Sequence, residues 1–324
     1  MGNRSVAIVF ILIIAVSCDK DTPQKPMGKW EQVGSYPGYF PSHGFGTVVV
    51  DGKAYVSAQS ADGVSMSEFD PMTGTWKARR SAPYFGEFIG YFSTQGRLYA
   101  LRPSPYADST YLFYYDPRID FWNDQGLAPI PAQVPVDHGE TASNAIFSID
   151  LGSKVYIHYT SGMYENTENV LWEYDAAKDK WTRTTPYPEY CLTFNLAAGI
   201  NNEKIYVING SAPNHIMMFD PGSSSWTSLP TSADAANKPE RYAKSVVFTY
   251  NDIFYIFTNK EGSGGTDLVS QYNVRTGQWQ TLEVLPDFIS PLTPGFTFQI
   301  NGHFYLHDGN RNVWRYTPSD LIGR

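Results

Sequence analysis

One column of residues governs how this chain can fold: an aromatic, then Asp or Asn, then a tryptophan six residues after the acid or amide. It occurs as Phe69-Asp70…Trp76, Tyr115-Asp116…Trp122, Tyr174-Asp175…Trp181, Phe219-Asp220…Trp226 and Tyr272-Asn273…Trp279. Trp30 precedes them without such a partner, and successive tryptophans from there are 46, 46, 59, 45 and 53 residues apart. Self-similarity at a period of ~20–50 residues marks repeat architectures, in which each unit buries its apolar face only against its neighbours. The residues between acid and tryptophan, as in DPMTGTW and DPGSSSW, are turn formers. Asp or Asn bonds its own backbone two residues on, and Pro presets φ for the next position.

Upstream of each unit lies a second: a short turn, a tyrosine, then apolar residues. The examples are DGKAYV (Tyr55), QGRLYAL (Tyr99), GSKVYI (Tyr156), NEKIYVI (Tyr206), NDIFYIF (Tyr255) and NGHFYL (Tyr305), each following an apolar run such as GTVVV or SVVFTY. DG, QG and NG between such runs are hairpin signals. Each period thus holds four short strands: an apolar strand, a Tyr strand, a strand ending in aromatic-Asp, and a Trp strand.

The pattern resembles the kelch repeat, specifically in its Tyr, Asp and Trp columns. Kelch repeats usually carry Gly-Gly just after the Tyr strand; here those positions read Ser57-Ala58, Arg102-Pro103, His158-Tyr159, Asn209-Gly210, Thr258-Asn259 and His307-Asp308. The resemblance implies an all-β fold, a six-bladed β-propeller of four-stranded blades over residues 28–320. Trp30 has no hairpin before it, and the last hairpin (296–306, with the strand 313–316) has no Trp strand after it. Residues 29–33 are therefore expected to close the ring as the missing outer strand of the sixth blade, with Trp30 buried between blades.

Residues 1–17 read as an address rather than as fold. Arg4 precedes eleven unbroken apolar residues, Val6 to Val16; a spanning helix needs ~20 and a secretory core ~7–15. The run ends in Ala15-Val16-Ser17-Cys18, which resembles the lipobox of bacterial lipoproteins, although Leu12 lies further upstream than the commonest leucine. The resemblance implies cleavage before Cys18, acylation of that cysteine, and a lipid anchor in the bacterial cell envelope, at the outer membrane. An ordinary cleaved signal with a chance cysteine is the alternative. Residues 18–27 are polar, Pro-containing and non-periodic, a flexible tether. Cys191 is then the only thiol left, which excludes an intrachain disulfide. With 17% charged residues and a net charge of −8, the chain is no disordered polyelectrolyte, and neither nucleic acid nor an anionic lipid surface is expected as its partner.

In a four-stranded blade, the connections between strands one and two and between three and four emerge on one face. Those between strands two and three, and between blades, emerge on the other. Here the first set is short and the second is long and irregular, as in NDQGLAPIPAQVPVDHGET. Excess loop length on a rigid scaffold is where binding residues gather. The candidate ligand-binding residues are Arg80, Glu87, His138, Glu140, Tyr190 and Arg241. Tyr and Arg anchor interfaces, and aromatic faces beside carboxylates suit sugar rings. His138 and Glu140 alternate onto one side of an extended segment, but no third ligand completes a metal site.

The six histidines form no HxxxH or HxH pair, and no Ser–His–Asp order, phosphate loop or nucleotide fingerprint is present. The acid-to-Trp interval differs from that of sialidase Asp boxes. A copper radical site needs a Cys–Tyr crosslink, for which only Cys191 is available. No catalytic residue, metal or cofactor is assigned. The expectation is a binding module for a glycan or a protein. The alternative follows from the architecture of the six-bladed kelch sialic-acid mutarotases: a carbohydrate enzyme in which Glu87, Glu140 and the Arg79/Arg80 pair carry acid–base chemistry.

Overall fold

Two-residue hairpins reverse the chain at the first turn of every blade, and their chemistry shows why. In a computed structural model, residues 28–38, 45–60, 63–83, 88, 90–103, 110–130, 147–158, 171–186, 196–209, 216–229, 242–260, 268–284 and 295–322 are described. Asp51-Gly52, Gln95-Gly96, Asn202-Glu203 and Asn301-Gly302 all take left-handed φ, between 48° and 78°. That paired left-handed conformation matches the twist of the flanking strands, and Asn, Asp and Gly adopt it at least cost.

The described strands form six antiparallel sheets of four. Blade 1 runs outwards from the axis as Phe45–Val50, Lys53–Ser60, Gly63–Asp70 and Thr75–Ala82. The inner strands of the next four blades are Gly90–Thr94, Phe147–Leu151, Leu196–Asn201 and Tyr242–Tyr250. Their outer strands are Phe121–Ile130, Lys180–Arg183, Ser225–Leu229 and Gln278–Val284. Blade 6 consists of Thr297–Ile300, His303–His307, Asn312–Pro318 and, outermost, Gly28–Ser35. The fold is an all-β six-bladed propeller whose ring is closed by its first strand.

The sequence columns become cross-strand contacts. In blades 1 to 5 the aromatic before the acid or amide lies directly opposite the tryptophan. The ring pairs Phe69–Trp76, Tyr115–Trp122, Tyr174–Trp181, Phe219–Trp226 and Tyr272–Trp279 sit with centroids 4.6–5.3 Å apart. Blade 6 makes its own copy from the two ends of the chain: Trp30 is opposite Tyr316, at 5.0 Å. Trp30 also meets Phe257 of blade 5 edge-on at 5.8 Å, but it is half-buried rather than enclosed, because its strand is the rim of the disc. The closing ladder is longer than expected, from Gly28↔Pro318 to Ser35↔Asn312. It is fastened by Arg315 on Glu31 at 2.7 Å. Gly28 is required there, since a Cβ would lie 2.2 Å from the Tyr316 ring.

The core is divided among the blade junctions. Buried clusters join blades 1 and 2 (Val48, Tyr55, Leu98, Tyr115), 3 and 4 (Ile149, Tyr156, Ile205, Phe219) and 6 and 1 (Ala54, Phe69, Phe298, Tyr305), and the remaining junctions repeat the arrangement. Each blade therefore owes its buried surface to two neighbours, which is why the ring has to close.

Candidate functional site

The face carrying the hairpins is shaped by local bonding. Asp70, Asp116, Asp175, Asp220 and Asn273 each accept the backbone N–H two residues on, at 2.9–3.1 Å. The turn then ends in a left-handed residue: Gly74, Asp120, Asp179, Ser224 or Gly277. The cation that opens the second strand points radially outwards in four blades. Lys53 reaches Glu68 at 3.0 Å, Arg97 Asp116 at 3.6 Å, Lys154 Glu173 at 2.7 Å, and Lys204 Asp220 at 3.3 Å. These half-exposed pairs are individually weak, but they occupy the cations that open the second strands of blades 1 to 4.

At the axis, the inner strands leave a cavity of about 580 Å3. Blades 1, 3, 4, 5 and 6 contribute to its wall, through Val49, Ser148, Asp150, Ala198, Ile200, Val247, Thr249, Thr297, Gln299 and Asn301 among others. Alternate residues of an inner strand share one side, so Ser148 and Asp150 open on the cavity while Ile149 is buried between blades. Polar groups there also tie blades together. Ser148 Oγ donates to the Tyr91 carbonyl at 2.7 Å, and the Gln299 amide bonds both the N–H and the C=O of Thr249. Asn201 donates to Asp252 at 3.0 Å.

Asp150 is the one titratable group in that wall among the described residues. The positions matching it in the other inner strands are Val49, Ser93, Ile200, Thr249 and Gln299. Its carboxylate accepts the Gly152 N–H at 2.8 Å. Asp150 is exposed to the cavity, and partial desolvation by the blades around it pushes it up to about 6 against the hydrogen bond that lowers it.

Of the residues singled out in the sequence, Arg80 lies on the outer strand of blade 1, away from the axis. Its guanidinium stands 5.6 Å from the exposed Phe121 ring. Its N–H donates to Asp120 at 3.0 Å, and its carbonyl accepts the Trp122 indole N–H at 2.9 Å. Arg79 is spent within blade 1: together with Lys53 and Tyr55 it donates to Glu68, so it is not offered to the cavity. Burial pulls the Glu68 carboxyl up, but the three donors outweigh it and hold it below its ordinary value. Glu87, His138, Glu140, Tyr190 and Arg241 lie outside the described residues, as does Cys18.

Two groups were not picked out by sequence reasoning. One is Asp150, whose only signal is a charge inside an inner strand that otherwise carries none. The other is His158, which is 0% exposed and stacks on Phe147 at 5.2 Å, with neither ring nitrogen partnered among the described residues. Burial pushes it down to about 4, so it is neutral at pH 7. Among the described residues no three His, Cys, Asp or Glu side chains come together as a metal site would require.

No family model matches the chain. It is 26% identical to the kelch-like protein terF of Aspergillus terreus over 132 residues, which is 37% of this chain and 28% of that protein's length. The solved structure of YjhT superposes with a TM-score of 0.61, covering 89% of this chain and 97% of that one at 15% identity, a likeness of fold. With the Tyr, Asp and Trp columns in register on six four-stranded antiparallel blades, the chain is a six-bladed β-propeller whose repeats are kelch-like.

Proposed function

We propose that this propeller is a ligand-binding module, lipid-anchored through Cys18 at the outer membrane of a bacterial cell envelope, that takes a glycan or a protein on the face opposite its hairpins. The supporting observation is one-sidedness. On the hairpin face every described connection is two to four residues long, whereas the strands flanking 131–146, 187–195, 230–241 and 285–294 all end on the other face. Chain length in excess of closure, concentrated on one side of a rigid disc, is the usual layout of a binding surface. The candidates His138, Glu140, Tyr190 and Arg241 fall in those segments and Glu87 in the connection between blades 1 and 2, with Arg80 on the outer strand of blade 1.

The test is a glycan array on the fragment beginning at Thr22, repeated with residues 131–146 replaced by a short Gly/Ser linker. The reading expects a glycan class whose retention is lost in the replacement while the melting temperature holds, because loop length costs little stability. Retention by both proteins would place binding elsewhere, and an empty array would leave a protein partner across the same face. A second reading, a carbohydrate enzyme such as a sialic-acid mutarotase-like epimerase, is favoured by the Asp150 carboxyl in the axial cavity, which desolvation pushes up to about 6. It predicts accelerated anomer exchange, read by NMR on reducing sugars.

A further inference from the structure

We propose that the hairpin-side end of the axial cavity binds a small organic amine, its ammonium group held against the Asp150 carboxylate. This site is separate from the long-connection face and rests on different observations. The Asp150 carboxylate stands exposed in the cavity wall, and among the described residues no cation is paired with it. The cations of its own and the two flanking hairpins are committed elsewhere: Lys154 to Glu173, Arg97 to Asp116 and Lys204 to Asp220. Glu203, the other charged group on the blade 4 hairpin, is exposed and of the same sign as Asp150. Asp150 keeps one donor, the Gly152 N–H, and is otherwise open to the cavity.

The surroundings complete what an ammonium requires. It carries three donors and no acceptor. Ser148, Thr249 and Thr297, which carry hydroxyls, and Asn301, which carries an amide, line the same wall. Each inner strand is paired on one side only, so backbone carbonyls of its free edge face the axis as further acceptors. A metal ion is poorly served by a single carboxylate, and an anion would be repelled. The volume of about 580 Å3 falls within the ~300–1,000 Å3 of small-molecule sites. The amine is thus the class that matches charge, donors and size together.

The experiment is saturation-transfer NMR on the full chain in detergent, with glucosamine and n-butylammonium as probes and glucose, N-acetylglucosamine and n-butanol as their neutral counterparts. The proposal expects both amines to bind more tightly than their counterparts. Asp150→Asn, which keeps an acceptor for Gly152, should weaken the amines about tenfold, the ~1.4 kcal/mol scale of one charge-assisted bond, and leave the neutral probes unchanged. Amine affinity should also fall as the pH is lowered through 6, and this slope should vanish in Asp150→Asn. Equal binding of charged and neutral probes, unchanged amine affinity in Asp150→Asn, or no amine signal at millimolar concentration would each overturn it. None of these outcomes bears on a glycan retained by the long-connection face.

Discussion

Asp70 shows how a single residue carries several of this chain's instructions. It opens the turn by accepting the Met72 N–H, sits beside the Phe69–Trp76 pair, and takes part of the charge of Lys53. Such columns are legible in sequence because turn chemistry and cross-strand pairing act over a few residues. Glu68 and Asp150 were not legible, because their environments are made by strands that meet only in the assembled ring. Glu68 is 4% exposed beneath three donors. Glu68→Gln should therefore cost roughly 3 kcal/mol by leaving Arg79 without its counter-ion, measurable by urea melts at pH 7. Its lowered pKa means that this contribution is present above pH 4.5 and is lost as pH falls through the lower folded value. Asp150 has the opposite sign. Raised from 3.8 to about 6, it destabilises the fold progressively as pH rises across that window. Asp150→Asn should accordingly raise the melting temperature at pH 7 and have almost no effect at pH 3.5; an equal shift at both values would refute the desolvated carboxylate.

At the scale of the strand, the closing segment was readable from phase alone, a Trp strand without a hairpin at one end and a hairpin without a Trp strand at the other. The ladder's full extent was not, since Gly28 and Ser35 are neither apolar nor β-branched, and their place is fixed by Tyr316 and Asn312 across the pair. Trp30 contributes less than a core tryptophan because it is half-buried. Trp30→Ala should cost about 2–3 kcal/mol, below the ~3–5 kcal/mol of full enclosure. Thermal unfolding of the variant measures this, and a melting point equal to wild type would show that the closing strand is idle. The tether before it makes a separate claim. Cys18→Ala should abolish acylation and shift the protein from the detergent phase to the aqueous phase on Triton X-114 partition; unchanged partition would return the leader to an ordinary signal.

For the whole molecule, blade number, strand order and the one-sided distribution of connections all followed from the repeat. The axial cavity did not, because its wall combines a few residues from each of five blades and no local pattern announces which of them will face the centre. Arg80 illustrates the same gap. Its position in sequence, just before an inter-blade connection, made it a binding candidate, and the outer strand that carries it along the rim sets its guanidinium beside Phe121.

Closure by the first strand also sets an order in time. Gln32 meets Asn312 across 280 residues, and a ribosome adding roughly 5–20 residues per second needs on the order of 15–55 s to cover that distance. Throughout that interval Gly28–Ser35 has been made and its partner has not. Blades 1 to 5 are each contiguous and can assemble in sequence as they emerge, but blade 6 waits for the last residues of the chain. The unpaired strand is meanwhile a short one with Lys29, Glu31 and Gln32 along it, a composition that discourages pairing with strangers while the chain is completed.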